Sequence, residues 1–294
     1  MNETVLYNVA HEPAYGLLIL LYFFLGGMSG GAFLVSAFSR IWGGEKYNTI
    51  TRIGAVSALV FIAIGGLCLL LDLGRMARFI YLFTHFIVTS PVSWGSWIIL
   101  GFSICTLLFI YFLMVKPDKD KADLVSKIGI VFAIGLTSYT GFLLSMGKAH
   151  PLWHSAIMPP LFLVSSCISG LAVVLLVANL MGKKTPGPDV TGKLGKILIA
   201  FILVDIFFLS DMYVLYVGIA EANEVALLLL VGKFAFLFWG IELILGSLLP
   251  VAILSSRSLA VTRQWQLIAS IFALIGVFSM RYIFIVVGQY LPIS

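Results

Sequence analysis

Long apolar runs divide this sequence, and they constrain its fold more than any other feature. A helix needs roughly 20 residues to cross the hydrocarbon core of a bilayer, and eight runs have about that length. They lie at about 14–39, 53–71, 92–115, 128–147, 157–181, 197–218, 226–254 and 264–288. Only 11% of the 294 residues are charged, and no polar stretch is long enough for a separate soluble domain. We therefore predict an all-α polytopic membrane protein with eight transmembrane helices.

The distribution of Lys and Arg between alternate loops predicts the orientation of the chain. One set of loops holds three cations, Arg75, Arg78 and Lys148. The opposite set holds thirteen: Arg40, Lys46, Arg52, Lys116, Lys119, Lys121, Lys127, Lys183, Lys184, Lys193, Lys196, Arg257 and Arg263. Because cytoplasmic loops carry the excess of Lys and Arg, both termini and the segment 72–91 are expected outside. These loops account for the +5 net charge, so nucleic-acid binding is not expected.

A weak internal repeat suggests that the eight helices form two bundles of four. Helix one carries MSGGAFLVSAF (28–38), and helix five carries ISGLAVVLLVA (168–178). Since four helices separate the two motifs, they would belong to parallel repeats, with a first bundle at 1–155 and a second at 156–294. The alternative stays open, because small residues spaced four apart form packing faces in many membrane bundles.

The histidines and cysteines argue against a haem or metal centre in this chain. A haem with two histidine ligands needs His side chains that face one another within spans. The four histidines, at positions 11, 85, 150 and 154, all fall outside the runs or at their outer ends. The three cysteines lie within apolar runs and lack CxxC spacing, which is typical of small buried side chains. We therefore expect no haem and no metal.

Ionisable residues within spans concentrate in the second half of the chain. A charge at membrane depth costs several kcal/mol, so such residues tend to mark function. They are Asp205 and Asp211 in helix six, Lys233 and Glu242 in helix seven, and Arg281 in helix eight. Two interpretations stay open for this set: carboxyl groups on a proton path, or a static ion network that holds helix register.

A second concentration of polar and aromatic residues lies at the outer ends of helices one to four. It comprises Tyr22, Asp72, Arg75, Trp94, Trp97, Tyr139, Lys148, His150 and His154. A quinone needs hydrogen-bond donors for its two carbonyl groups, an apolar or aromatic slot, and a proton acceptor when the quinol is oxidised. These residues supply all three at one membrane edge. The alternative for any single Trp or Tyr is a position in the aromatic belt of the membrane interface.

Three motifs at this edge resemble those of a known family. They are YFFLGGMSGGAF (22–33) in helix one, TSPVSWGSW (89–97) at helix three, and SYTGFLLSMGKAHPLW (138–153) at the end of helix four. With the eight-helix plan, they make the chain resemble the NrfD/PsrC-type membrane subunit of polysulfide reductase and related molybdenum oxidoreductases. The resemblance covers essentially the whole chain, and the second and third motifs are its more specific part.

The resemblance implies a haem-less site for menaquinol or ubiquinol at the outer face of helices one to four. The quinone-binding tyrosine of the family falls on Tyr139. The family's helix-one contact is a histidine in its best-known members, where this sequence has Tyr22, so His11 or His85 are alternatives for the second ring oxygen. The acid after helix two corresponds to Asp72, which we expect to accept a proton.

Partners and location also follow from the resemblance. It implies a four-cluster ferredoxin-like iron–sulphur subunit and a molybdopterin catalytic subunit on the outer face of a bacterial or archaeal cytoplasmic membrane, with lipid around the chain. Trp94 is expected to line the quinol slot. The outer segments 72–91 and 148–156 are expected to support the site and dock the partner, through Arg75, Lys148, His150 and His154.

Two other functions remain open at this point. A secondary transporter also shows weak repeats and charged spans, but it should have helices broken near the midplane at corresponding places in the two halves. A plain membrane anchor would hold the soluble subunits and bind no quinol.

Overall fold

The protein is an assembly of long helices. The computed structural model describes residues 15–72, 74, 84, 86–147, 152–153, 155–181, 186–218, 223 and 227–289, and no strand occurs in these ranges. We label the main helices in chain order: α1 (Leu17–Trp42), α2 (Asn48–Asp72), α3 (Pro91–Val115), α4 (Lys119–Ser145), α5 (Met158–Leu180), α6 (Pro188–Gly218), α7 (Phe236–Ser255) and α8 (Arg263–Ile285).

The predicted class, an all-α polytopic membrane protein, is confirmed. Within the described ranges, seven helices are long and apolar enough to cross a membrane, namely α1 to α5, α7 and α8. The sixth predicted span falls on α6, which has 31 residues but includes side chains outside the described set. The count of eight spans, the orientation, and the division at 155/156 therefore stay predictions.

Local sequence signals explain where several helices begin. Ser90 is extended and Pro91 occupies the first turn of α3, as its fixed φ favours. Helix α4 begins at 119, before the predicted 128, because the Asp118 carboxylate caps it by accepting the backbone N–H of Lys121 at 3.2 Å. That hydrogen bond also lowers the pKa of Asp118. Helix α7 begins at 236 rather than the predicted 226, and its first part, Phe236–Leu248, is π-helical.

Helices α1 and α5 form the centre of the structure. Helix α1 packs against α2, α4, α5 and α8, and α5 packs against α1, α4, α6 and α8. Their most apolar stretches are 72% and 78% buried, against 22% for α3. These two central helices carry the glycine motifs from which the sequence repeat was inferred.

Glycines let the helix backbones touch. A Cβ built on Gly31 of α1 would overlap the backbone carbonyl of Ser166 on α5, and one built on Gly170 would overlap the backbone of Gly31. Gly246 of α7 and Gly276 of α8 meet in the same way. Lipid tails are as apolar as the side chains, so close packing of this kind drives helix association in a membrane.

One end of the molecule is tied together by Trp153, which follows α4. Its indole N–H donates to the carbonyl of Phe284, at the end of α8, at 2.5 Å. Its ring lies 5.5 Å from that of Tyr15, just before α1. The Gln289 side chain then accepts from the Tyr15 N–H at 2.9 Å and donates to the Tyr15 carbonyl at 3.1 Å. The beginning of α1 and the ends of α4 and α8 are thus held together.

The α1–α5 contact gives a direct test of the packing. We expect Gly31→Ala to destabilise the protein by about 1–3 kcal/mol, the usual cost of overpacking, because the added methyl group would force α1 away from α5. The measurement is the thermal unfolding midpoint in detergent, together with the monodispersity of the purified protein.

Gly66→Ala is the matched control for this variant. Gly66 lies within α2, and a Cβ added there meets no atom within 4 Å. We expect it to leave the unfolding midpoint unchanged or slightly raised. Equal behaviour of the two variants would contradict the proposed importance of the backbone contact.

Candidate functional site

Two tyrosines and a glycine from three helices lie at the same end of the bundle. Tyr22 follows the start of α1, Gly95 follows the start of α3, and Tyr139 precedes the end of α4. Because successive helices run in opposite directions, these positions all belong to one face. At 1.5 Å per residue, each lies about 6–9 Å from its helix end. A planar ring that entered between the helices at this end would need to go only that far to contact these three residues.

Gly95 makes room for Tyr139. A Cβ built on Gly95 would overlap the phenol ring and hydroxyl of Tyr139. The phenol therefore lies against the backbone of α3, inside the WGSW motif, and Tyr139 is 8% exposed. Sequence reasoning did not single out Gly95. The available signal was a small residue between two tryptophans at the start of a span.

Tyr22 is buried with an unused hydroxyl. The side chain is 3% exposed, and within the described part of the chain its phenol oxygen has no hydrogen-bond partner. The Tyr22 phenol interacts electrostatically with that of Tyr139, which in turn interacts with that of Tyr15. An unpartnered buried polar group costs about 1–3 kcal/mol, so packing among the described residues does not account for this hydroxyl.

Asp72 lies at the rim of this site rather than inside it. It is the last residue of α2, and its side chain is exposed. Gly65 on the same helix packs against α1 near Tyr22, where its built Cβ would lie 3.7 Å from the Tyr22 carbonyl oxygen. Asp72 is two turns further on, about 10 Å along the axis. Asp72 thus lies further towards this end of the bundle than Tyr22 does.

Trp94 lies at the start of α3, next to Gly95. It is 50% exposed, its indole N–H donates to the carbonyl of Val88 at 2.9 Å, and its ring contacts Phe86 edge-on at 5.1 Å. This indole therefore stabilises the turn before α3, and its place in the quinol slot stays a prediction. Trp97 is also largely exposed.

Several residues that were predicted to contribute lie outside the described residues. They are His11, Arg75, His85, Lys148, His150 and His154. All four histidines are in this group, so the absence of haem stays a prediction. In the part of the chain that the structure describes, no three His, Cys, Asp or Glu residues are grouped so that they could hold a metal ion.

A second buried polar cluster centres on Arg281 of α8, which is 0% exposed. Its guanidinium donates to the Phe23 carbonyl of α1 at 2.8 Å and to the hydroxyls of Ser166 and Ser165 of α5 at 2.8 and 3.3 Å. It also lies 4.9 Å from the ring of Phe162. Gly27 of α1 leaves the space that the guanidinium occupies. Arg281 thus joins α8 to both central helices, and on α1 it does so at the residue next to Tyr22.

Two buried acids complete this second cluster. Asp205 of α6 is 5% exposed and Glu242 of α7 is 2% exposed. Asp205 interacts electrostatically with Arg281, and Glu242 with Asp205. Among the described residues, Asp205 Oδ1 and both Glu242 oxygens have no hydrogen-bond partner. In the described part of the chain, the nearest cation in electrostatic terms is Arg281, but it makes no salt bridge to either acid.

Lys233 lies in the turn before α7, outside the helix, with an exposed side chain whose ammonium group is 4.9 Å from the Phe234 ring. The apolar run at 226–254 had placed it within a span. The side chain of Asp211 is not among those described.

The sequence as a whole is similar to those of characterised membrane subunits. The family model described as "Polysulphide reductase, NrfD" matches residues 6–292. A polypeptide of the polysulfide reductase of Wolinella succinogenes is 30% identical over 92% of this chain and 93% of its own length. The Hdr-like menaquinol oxidoreductase integral membrane subunit of Archaeoglobus fulgidus is 28% identical over 90% of this chain and 68% of its own length. A subunit of the selenate reductase of Mesobacillus selenatarsenatis is 23% identical over 95% of this chain and 75% of its own length.

The contacts of Arg281 predict a large effect of removing its charge. We expect Arg281→Met to destabilise the protein by about 3–5 kcal/mol, because it removes the buried hydrogen bonds from the charged guanidinium to the Phe23 carbonyl and the Ser166 hydroxyl. Arg281→Lys should lower the stability less. It keeps the positive charge, but one ammonium group cannot donate to both α1 and α5 as the guanidinium does. Thermal unfolding in detergent measures both.

Arg257→Met is the control for Arg281→Met, because Arg257 is an exposed arginine in the turn after α7. It should unfold at the wild-type temperature. A wild-type midpoint for Arg281→Met would show that this arginine does not stabilise the contact between α8 and the central helices.

Proposed function

The chain belongs to the NrfD family of polysulphide reductase membrane subunits, and on that premise we propose that it oxidises quinol for a molybdopterin oxidoreductase complex. Relatives named as parts of polysulfide and selenate reductases support a role in such a complex. A relative named as a menaquinol oxidoreductase subunit supports menaquinol as the substrate. We propose that the chain works in the cytoplasmic membrane of a bacterium or archaeon, with its quinol site facing outwards.

The unpartnered hydroxyl of Tyr22 is the observation that carries this proposal. A buried phenol O–H without a protein partner is a donor held in place for an acceptor on a ligand. A quinone ring carries two such acceptors on opposite sides, and Tyr139 supplies a second phenol nearby. The adjoining clusters of buried apolar side chains suit the rest of a planar apolar ring.

Quinol oxidation releases two electrons and two protons from the ring hydroxyls. In the proposed site, Tyr22 and Tyr139 hold the ring oxygens, and His11 or His85 is the alternative partner for one of them. Asp72 at the rim accepts a proton and passes it to the outer solution. Trp94 supports the wall of the site through the turn before α3.

The position of the site near the helix ends determines where the electrons go. A ring held about 6–9 Å inside the bundle lies close to any protein docked on that face. We propose that an iron–sulphur subunit docks there and passes the electrons on to a molybdopterin catalytic subunit. The outer segments 72–91 and 148–156, with Arg75, Lys148, His150 and His154, would form this docking surface.

Proton transfer is a second candidate function for the buried acids of the other half. The carboxyl oxygens of Asp205 and Glu242 that lack partners favour it, because a static network would be expected to satisfy them. The neighbouring π-helical part of α7 fits the same interpretation, since such irregular turns are frequent at functional sites.

The two rival functions make different demands on the structure. A transporter of the inverted or parallel repeat type should break its helices at matching depths in both halves. In the described residues, the π-helical part of α3 is confined to its last five residues, Tyr111–Val115, whereas that of α7 covers its first thirteen, Phe236–Leu248, so the two do not match. A plain anchor would gain nothing from an unpartnered phenol.

Removing the two phenol hydroxyls tests the quinol site. We expect Tyr22→Phe and Tyr139→Phe each to lower kcat/KM for a menaquinol analogue about three- to tenfold, because each loses one hydrogen bond of about 1 kcal/mol to the ring. The measurement is steady-state oxidation of the analogue by the intact complex, with assembly checked in the same membranes.

Tyr111→Phe serves as the control, because Tyr111 is an exposed tyrosine at the other end of α3. Gly95→Ala is a second probe: its methyl group would displace the Tyr139 phenol and should lower kcat/KM although both hydroxyls are present. Wild-type turnover in all three site variants, with normal assembly, would favour the anchor.

Asp72→Asn tests proton acceptance at the rim. We expect kcat to fall while KM changes little, because Asp72 is too far along α2 to hold the ring but lies on the exit route. The amide has the same shape as the carboxylate and cannot take up the proton. An Asp72→Asn enzyme whose kcat and pH profile equal those of the wild type would exclude this role.

A further inference from the structure

A groove opens at the opposite end of the molecule from the tyrosines. It is a cavity of about 540 Å³ between α1, α5, α6 and the turn that joins α1 to α2. Along α1 it runs from Gly31 to Trp42, a length of about 16 Å. This equals about one leaflet of a hydrocarbon core that is roughly 30 Å thick. The groove is therefore about as long as one leaflet is thick.

The lining of the groove changes from apolar to charged along this length. Its inner part is formed by Gly31, Cys167, Leu171 and Phe201, and its mouth by Lys46, Tyr47 and Lys193. One edge is open, because Phe38 and Ile197 expose 42% and 45% of their surface. A molecule with one long apolar part and one polar end could thus enter sideways from the bilayer.

The mouth carries an excess of positive charge. Lys46 of the turn and Lys193 of α6 approach the same carboxylate oxygen of Asp189, at 3.6 and 3.9 Å. One carboxylate thus contacts two ammonium groups from separate elements. Its single negative charge balances only one of their two positive charges. Both lysines also belong to the cation-rich set of loops. An anionic group at the mouth would complete the charge balance.

We propose that this groove binds one anionic phospholipid, with an acyl chain against α1 and α6 and its phosphate at the mouth, where Lys46 and Lys193 can reach it from the side that faces away from Asp189. Pockets of this volume commonly hold small apolar ligands, and basic pockets between membrane helices suit lipid head groups. Trp42, stacked on Phe38 at 5.0 Å, marks the interface level at which the head group leaves the apolar region. The lipid joins the turn after α1 to the beginning of α6.

Charge complementarity favours this occupant over a second quinone. A quinone ring is neutral and would leave the excess positive charge at the mouth unbalanced, whereas a phosphodiester carries the missing negative charge. Quinone binding is therefore one of the outcomes that the test must be able to show.

The test is lipid binding to the intact complex in detergent after loosely held lipid is removed. Phosphatidylglycerol and phosphatidylcholine with identical acyl chains are titrated separately, and bound lipid is counted by native mass spectrometry. We expect one phosphatidylglycerol per chain, bound at least tenfold more tightly than phosphatidylcholine. Lys46→Gln with Lys193→Gln should abolish this preference, and Val35→Trp should block both lipids by filling the groove.

Lys116→Gln with Lys127→Gln is the matched control, because these exposed lysines lie on the same membrane face but do not line the groove. This double variant should retain the wild-type preference. Equal binding of the two lipids by the wild type, an unchanged preference in the Lys46/Lys193 variant, or one-to-one displacement of phosphatidylglycerol by menaquinone would each overturn the proposal.

Discussion

Backbone contact between α1 and α5 at Gly31 and Gly170 sets the geometry on which the rest of the structure depends. In a bilayer, apolar side chains gain little by leaving lipid, so close packing has to supply the association that water supplies in soluble proteins. With the two central helices touching, α1 is lined by neighbours along its whole length. Four features then follow one another along α1. Tyr22 comes first, then Gly27, which makes room for Arg281, then Gly31, which contacts α5, and last the groove that ends at Trp42.

The buried polar groups of the bundle differ in how many hydrogen bonds they make, and this difference suggests which of them stabilise the fold and which serve function. Arg281 reaches a carbonyl and two hydroxyls on two other helices, so it serves as a structural link. The hydroxyl of Tyr22 and the carboxyl groups of Asp205 and Glu242 lack such partners among the described residues. Because an unsatisfied polar group is more costly in lipid than at an aqueous surface, these groups are where ligand or proton exchange is best sought.

Sequence reasoning was most successful for properties that depend on composition along the chain. Apolar length predicted the helices, and the run predicted at 92–115 agrees closely with α3. It was wrong about where two helices begin, because α4 begins at 119 rather than 128 and α7 at 236 rather than 226. Lys233 therefore lies in a turn although the apolar run at 226–254 includes it. Hydropathy does not record a helix cap such as Asp118.

By itself, the sequence determined the class of the protein, because a bilayer admits few backbone structures and long apolar runs can only become helices there. It also determined which residue types stand at each membrane edge. Only the tertiary structure decided which of them meet: the phenol of Tyr139 lies against Gly95, and Arg281 lies against the backbone of α1 and the serines of α5. Those pairings depend on helix rotation and on distances of a few ångströms between helices, and residues far apart in the chain set both through packing.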